Sequence, residues 1–141
     1  MCITKLLYRF TGFKVTYITY GGARIRVLLA DSPRRMMLGL MHRSGLGKAE
    51  GMLFVPGHNA MHGIWMHNMR FSIDILWLSR NGKVVDMLEN AKPCTSIFNC
   101  PTYKPSRPSF YILELAAGSA RRMGVKAGSR FDAENINKPF Y

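Results

Sequence analysis

The sequence predicts a single mainly β domain, an antiparallel β-sandwich or barrel with one or two short helices. Three observations support this prediction. Short stretches of alternating or β-branched residues recur along the chain, turn signals separate them, and only two short segments have helical spacing. The length of 141 residues fits one domain covering 1–141, with its core at about 13–132 and peripheral segments at 1–12 and 133–141.

The predicted strands are residues 13–20, 23–30, 52–55, 61–67, 72–78, 83–89, 110–115 and 125–131. Gly21-Gly22 supplies the turn of a first hairpin, and the Asn-Gly pair within 80–83 predicts a type I′ turn in a second. A long connection follows at 90–108, with four prolines and two cysteines. A loop of this length in a compact domain is either functional or lies over the core.

Two short helices are predicted between these strands. Ser32 is a preferred N-cap residue, and Pro33 fits the first helical turn, so a helix is expected over 34–42. Gly39 within it indicates close packing against a neighbouring strand. A second helical turn with a glycine stop is expected at 118–124.

The composition is that of a globular protein with an unusual charge. Twenty Lys and Arg against eight Asp and Glu give a net charge of +12. The basic residues are scattered, which favours a solvated basic surface, although weak nucleic-acid binding through that surface stays open. Neither a signal peptide nor a membrane span is evident in the sequence, so we expect a cytoplasmic protein with no membrane span.

Residues 51–85 are the centre of the predicted domain. They contain both tryptophans, three of the four histidines and the longest apolar run. The stretch also contains Asp74, which is interpreted as the only acid of the whole chain placed in the middle of an apolar strand.

Several short motifs, in the same order along the chain, resemble those of one known family. They are GLMHR (39–43), EGMLF (50–54), IWMHN (64–68), IDILW (73–77), NGKVV (81–85), PC (93–94), CPTY (100–103) and YILEL (111–115). The chain therefore resembles domain of unknown function 192, a widespread bacterial and archaeal family of small β-rich proteins. The resemblance implies a compact, jelly-roll-like all-β domain of prokaryotic type. It implies no activity.

The chain departs from the family pattern at four positions. His67 stands where a lysine is usual, Met69 where threonine is usual, Ser72 where proline is usual and Ser129 where aspartate is usual. If the family's lysine does chemistry, this protein must do without it or use His67.

Asp74 marks the predicted site. Both faces of its strand are largely apolar, so the carboxylate should be partly buried and must have a cation or several N–H donors beside it. Arg43 is the predicted cation beside Asp74, and Asn68 or Tyr103 would assist it. Trp65 is three residues before Asn68 in the sequence. The group could be a structural ion pair, a ligand-binding site or a catalytic site.

The histidines and cysteines give weaker signals. His58, His62 and His67 have no acid among them and no zinc-site spacing, so no metal and no cofactor are predicted. Cys94 and Cys100 could form a disulfide that holds the proline-rich loop, or could be two free thiols.

These observations lead to three functional hypotheses. The first is a non-enzymatic binding protein for a small polar ligand or a partner's extended segment, with a pocket formed by Arg43, Trp65, Asn68, Asp74 and Tyr103. The second is a basic nucleic-acid-binding module. The third is a hydrolase or metal-dependent enzyme that uses Asp74 with His67 or Cys94, so the sequence leaves enzymatic activity undecided.

Overall fold

The structure, a computed structural model, describes residues 12–46, 50–94 and 96–133. It contains nine strands, two short α-helices and one 3₁₀ turn in these ranges. The strands are β1 (Lys14–Tyr20), β2 (Ala23–Ala30), β3 (Gly51–Phe54), β4 (Ile64–Trp65), β5 (Ile73–Leu78), β6 (Val84–Ala91), β7 (Thr102–Tyr103), β8 (Tyr111–Ala116) and β9 (Asp132–Ala133). The helices are α1 (Pro33–Leu38) and α2 (Ser119–Met123), and the 3₁₀ turn is Ile97–Asn99. None of the described helices has the length and apolarity needed to cross a bilayer.

Seven strands form one curled sheet in the order β6-β5-β8-β3-β2-β1-β9, while β4 and β7 pair separately. The β2–β3 pair is parallel, and the other pairs of named strands are antiparallel. The segment before β9 also bonds to the opposite end of the sheet. Phe131 N–H donates to Gly82 O at 3.0 Å, and Val84 N–H donates to Ser129 O at 2.7 Å. The mainly β class is confirmed. The described sheet is a half-barrel, and the predicted sandwich or jelly-roll arrangement is not confirmed.

Each face of the curled sheet carries its own apolar cluster, because successive side chains of a strand point to opposite faces. The inner core includes Ile18 of β1, Val84 of β6 and Phe131, which come from both ends of the sheet and therefore lie inside the curl. The outer core includes Phe54 and Trp77 and is covered by α1, the β4–β7 pair and the long connection. The covering layer on this outer face is where the candidate site lies.

Helix α1 is shorter than predicted because Gly39 ends it. The Gly39 backbone has φ 47° and ψ −131°, a conformation that a side chain rarely tolerates. A β carbon at this position would also lie 3.1 Å from the Phe54 ring. The predicted close packing of Gly39 against a strand is confirmed, but Gly39 lies just after the helix rather than within it.

The prediction of a type I′ turn between β5 and β6 is wrong. A type I′ turn needs φ > 0 at both central residues, whereas Gly82 has φ 87° and Asn81 is not among the residues with positive φ. Gly82 N–H donates to Ser79 O at 3.0 Å. The loop is therefore a type I turn followed by a left-handed glycine, which forms the same hairpin with a longer loop.

The other differences fall in the covering layer and at the C-terminal end. The predicted strand at 61–67 is reduced to the two residues of β4, and the 90–108 connection contains the 3₁₀ turn and β7. The predicted strand at 125–131 is a turn region before β9, with one bridge between Lys83 and Arg130. The predicted peripheral segments lie largely outside the described residues.

Candidate functional site

A pocket of about 180 Å³ opens in the covering layer on the outer face, between α1 and the β4 segment. It is lined mainly by apolar side chains, and five of its residues are methionines. The lining residues are Met36, Met37, Leu38, Gly39, Leu40, Met41, Phe54, Gly63, Ile64, Trp65, Met66, Met69 and Glu114.

Local sequence signals build the helical wall of this pocket. Ser32 Oγ accepts a hydrogen bond from Arg35 N–H at 3.2 Å, and Pro33 occupies the first turn. Arg35 also pairs with Asp31 at 2.9 Å. The left-handed Gly39 then turns the chain so that Leu40, buried in the outer core, follows the helix along the wall.

The opposite wall is held by the β4 segment. Trp77 Nε1–H, from the outer core, donates to His62 O at 2.8 Å and so fixes the chain just before β4. At Gly63 a β carbon would lie 2.6 Å from Thr102 Cγ2, so a larger residue here would force the Thr102 side chain of β7 to shift. Trp65 follows at the pocket rim, 40% exposed, with its ring centroid 4.9 Å from that of His67.

Among the lining residues that the structure describes, Glu114 is the one that is charged or titratable, and only 4% of it is exposed. It lies in the middle of β8, opposite Met52 of β3 and Ile75 of β5, and shares the outer face with Ile112. Within the described residues its carboxyl group has neither a hydrogen-bond partner nor an ion-pair partner.

Burial raises the pKa of Glu114 from its ordinary value of 4.5 to about 8, because an apolar environment disfavours the charged form. At neutral pH the group is therefore mostly a neutral carboxylic acid, which both donates and accepts hydrogen bonds. A cation brought beside it would favour the ionised form instead.

Asp74 has a different environment. It is fully buried, whereas the sequence predicted burial that is at least partial. Its Oδ1 accepts from Asn90 N–H and its Oδ2 accepts from Ala120 N–H, each at 2.9 Å. The predicted alternative of N–H donors is thus the one observed, and the suggested Arg43–Asp74 ion pair does not form between these described residues.

These two bonds hold structural elements in place. Ala120 lies in the first turn of α2, whose N-cap Gly118 has no side chain, so Asp74 acts as a distant cap. Asn90, with φ 54°, lies in an irregular part of the β5–β6 pairing. Asp74 faces inward with Leu76, whereas the pocket lies on the outer face of the sheet.

The structure brings the other four predicted site residues into the covering layer. His42 N–H donates to Asn68 O at 2.8 Å, which makes Asn68 a neighbour of the segment containing Arg43. Tyr103 pairs with Ile64 across the β4–β7 pair and packs on the outer core. Trp65 lines the pocket directly. Ligand binding by these residues stays a prediction.

The predicted catalytic partners of Asp74 are not beside it. Cys94 is bonded to Cys100 in a disulfide with a Cα–Cα distance of 5.3 Å, so it carries no free thiol in this structure. The backbone of His67 forms an isolated parallel bridge with Cys94 in the covering layer, on the opposite face of the sheet from Asp74. Among the described residues no group of three or more His, Cys, Asp or Glu could hold a metal ion.

Comparison with known proteins identifies the relatives of this chain. Residues 16–133 match the family described as uncharacterized ACR, domain of unknown function 192. The chain belongs to this family. It is similar to a UPF0127 protein of Pyrococcus furiosus, at 31% identity over 114 residues, covering 77% of this chain and 87% of that protein.

Two crystal structures share the fold of this domain of unknown function 192 protein. A Sinorhizobium meliloti 1021 protein, provisionally named a transcription regulator, has a TM-score of 0.74 and 28% identity over 86% of this chain and 94% of its own. A protein of unknown function from Novosphingobium aromaticivorans DSM 12444 has a TM-score of 0.71 and 27% identity, covering 85% of this chain and 84% of its own.

Sequence reasoning missed Glu114, although it lies in one of the motifs that indicated domain of unknown function 192. In YILELA (111–116) the glutamate sits between Leu113 and Leu115, and Ile112 shares its face. The criterion that singled out Asp74, an acid within an apolar strand, applies equally to Glu114. The view that Asp74 was the only such acid is therefore wrong.

Proposed function

We propose that this domain is a non-enzymatic binding protein whose pocket takes a small ligand with an apolar body and one cationic group. The cationic group would contact Glu114, and the apolar body would contact the methionines and Trp65. The sequence alone led us to expect a small polar ligand, and the pocket favours a cation as the polar part of this ligand. The single observation that supports the proposal is a glutamate at the pocket wall that is almost fully buried as a residue and whose carboxyl group is unpartnered among the described residues.

A ligand cation would supply the partner that the Glu114 carboxyl group lacks among the described residues. A buried acid normally has a cation or several N–H donors beside it, since desolvation of the charged form is otherwise uncompensated. An ammonium group entering the pocket would form a charge-assisted hydrogen bond in a water-poor environment, where such bonds are strong.

The lining supports a cation as well as an apolar group. The indole ring of Trp65 offers a π face at the rim, which attracts a cation within several ångströms. Methionine side chains are polarizable and adapt to irregular ligand shapes, so the five in the lining suit a pocket without a fixed apolar template.

The volume limits the ligand. About 180 Å³ is below the roughly 300–1,000 Å³ typical of sites for drug-sized ligands. A small amine, or one basic side chain from a partner's extended segment, is the size class that fits. Both of these belong to the same chemistry, because each presents an alkyl chain that ends in a cation.

The proposal is tested by titrating the protein with benzylammonium and butylammonium ions, and with the neutral alcohols of the same shape, by isothermal titration calorimetry. We expect the ammonium ions to bind and the alcohols to bind at least about fivefold more weakly, since a charge-assisted bond exceeds a neutral one by about 1 kcal/mol or more. Glu114→Gln should remove this preference. The matched control Glu89→Gln, at a more exposed glutamate that pairs with Arg121 at 3.8 Å, should retain it.

Proton release gives an independent readout. Because Glu114 is mostly protonated at pH 7, a cation that binds beside it should displace up to about one proton. Calorimetry in two buffers of different ionisation enthalpy measures that number. Equal affinity for amines and alcohols in the wild type, without proton release, would contradict a role of Glu114 as the cation partner.

The compartment remains a prediction. The expected cytoplasmic location and the Cys94–Cys100 disulfide favour different environments, because cytosolic thiols are normally kept reduced. Counting the free thiols after alkylation in intact cells distinguishes the two.

A further inference from the structure

We infer that the tip of the long connection, Ile97 and Phe98, is a membrane-docking element that inserts into an anionic lipid surface. Phe98 is 94% exposed and Ile97 is 55% exposed, the first of these being the most exposed large apolar side chain of the described residues. This inference concerns a different surface from the pocket and does not depend on the proposed function.

The tip is presented by a locally fixed turn. Ile97–Asn99 forms a 3₁₀ turn in which Asn99 N–H donates to Ser96 O at 3.0 Å and Phe98 N–H donates to Ser96 Oγ at 3.3 Å. The Cys94–Cys100 disulfide closes the segment at its base. Cys94 N–H also donates to Met66 O at 3.3 Å, which attaches that base to the covering layer. Because these bonds already fix the backbone of the turn, docking of the tip would cost little further backbone conformational entropy.

The basic charge of the connection that carries the tip favours an anionic lipid surface. Residues 90–110 contain Lys92, Lys104 and Arg107 and no aspartate or glutamate, within a chain of net charge +12. All three basic residues are exposed. Among the described residues, two acids outside this connection accept hydrogen bonds from its backbone: the buried Asp74 from Asn90 N–H at 2.9 Å, and Asp86 from Ser106 N–H at 2.7 Å. An apolar tip in a connection whose charged residues are all basic matches a bilayer that has an anionic surface and an apolar interior. Each signal alone gives only marginal membrane binding.

A single-stranded nucleic acid is the competing partner for an aromatic side chain among cations. Stacking on bases requires π faces, and Ile97, exposed beside Phe98, offers none. A bilayer interior buries both side chains, so the pair favours lipid.

The inference is tested by co-sedimentation with vesicles of phosphatidylcholine alone and of phosphatidylcholine mixed with phosphatidylglycerol. We expect binding to the mixed vesicles and little to the neutral ones. Phe98→Ser should lower the partition coefficient on mixed vesicles by about tenfold or more, from the apolar area withdrawn from water. Val15→Ser is the matched control, because Val15 is an exposed apolar residue of β1 that is distant from the tip in the sequence. This substitution should leave the partition coefficient unchanged.

Charge variants separate the two contributions. Replacing Lys92, Lys104 and Arg107 with glutamine should reduce binding to mixed vesicles by about fivefold for each cation that contacts the surface, and should not affect neutral vesicles. Unchanged melting temperatures would show that these exposed substitutions leave the fold intact.

Two results would overturn the inference. One is equal partition onto neutral and anionic vesicles, with Phe98→Ser indistinguishable from Val15→Ser. The other is a single-stranded oligonucleotide whose binding, followed by fluorescence anisotropy, falls in Phe98→Ser while no vesicle binding is found. The second result would assign the tip to nucleic acid.

Discussion

Asp74 and Glu114 are both buried acids on neighbouring central strands, yet the fold treats them in opposite ways. In the β5–β8 pairing, Asp74 is opposite Leu115, and the next residue Ile75 is opposite Glu114. The two carboxyl groups are therefore close in register but lie on different faces of the sheet. Asp74 accepts two backbone N–H groups on the inner face, whereas Glu114 faces a pocket and has no partner among the described residues.

The difference shows that burial alone does not identify a functional acid. The bonds of Asp74 cap a helix and fix an irregular strand, so its carboxylate is already fully used by the fold. Glu114 provides no such bond, and burial without compensation raises its pKa to about 8. An acid that the fold leaves uncompensated next to open space is the better candidate for ligand recognition.

Removing the partnered acid should have the largest effect on stability. Asp74→Ala leaves the buried Ala120 N–H and the part-buried Asn90 N–H without acceptors. An unsatisfied buried group costs about 1–3 kcal/mol, so we expect a loss of about 3–4 kcal/mol in the free energy of unfolding. Urea denaturation measures it. Asp86→Ala is the matched control, because Asp86 also accepts two backbone N–H groups but at a more exposed position.

We expect the Asp86 variant to lose only about 1 kcal/mol, since water can replace the carboxylate there. If the two variants lost the same free energy of unfolding, the burial of Asp74 would not be the reason for its contribution to stability.

Neutralising the unpartnered acid should instead increase stability, in a pH-dependent way. The folded pKa of Glu114 lies above its unfolded value, so its favourable contribution is complete below about pH 4.5 and is lost as the pH rises toward 8. The wild type should lose up to about 1.4 kcal/mol per pH unit in that window, or up to about 3 kcal/mol by pH 7.

Glu114→Gln should therefore have a flatter profile of unfolding free energy against pH and exceed the wild type above pH 7. Urea denaturation from pH 4 to pH 9 measures both profiles. Glu89→Gln serves as the control and should run parallel to the wild type. A Glu114→Gln profile with the wild-type slope would exclude Glu114 as the uncompensated group.

The sequence predicted the local features well because they depend on neighbouring residues. The strand alternation at 13–20 and 23–30, the turn at Gly21-Gly22 and the Ser32-Pro33 helix start are all found in the structure. The Asn-Gly pair within 80–83 predicted the wrong turn type, but it correctly predicted a hairpin at this place.

The candidate site could not be predicted in the same way, because its features depend on long-range pairing. The amides that bind Asp74 are 16 and 46 residues away in the chain, and a backbone N–H has no sequence signature. The role of Glu114 depends on β8 lying between β3 and β5 and on α1 leaving open space above it. Neither the order of the strands nor that space can be read from the motif around Glu114.

The smallest expected effect comes from giving Glu114 a cation within the chain, which would make it resemble Asp74. Met37 lies at the pocket and is largely exposed, so Met37→Lys can place its alkyl stem along the lining with the ammonium group at the mouth. An opposite charge near a carboxyl group lowers its pKa. We expect the profile of unfolding free energy against pH to flatten by about 0.5–1 kcal/mol at pH 7, as for a partly solvated pair. We also expect benzylammonium to bind more weakly.

Met61→Lys is the matched control, because it adds the same charge at an exposed methionine outside the lining. Because only the Met37 position faces the pocket, an equal change in both variants would mean that net charge, and not a partner for Glu114, produced it.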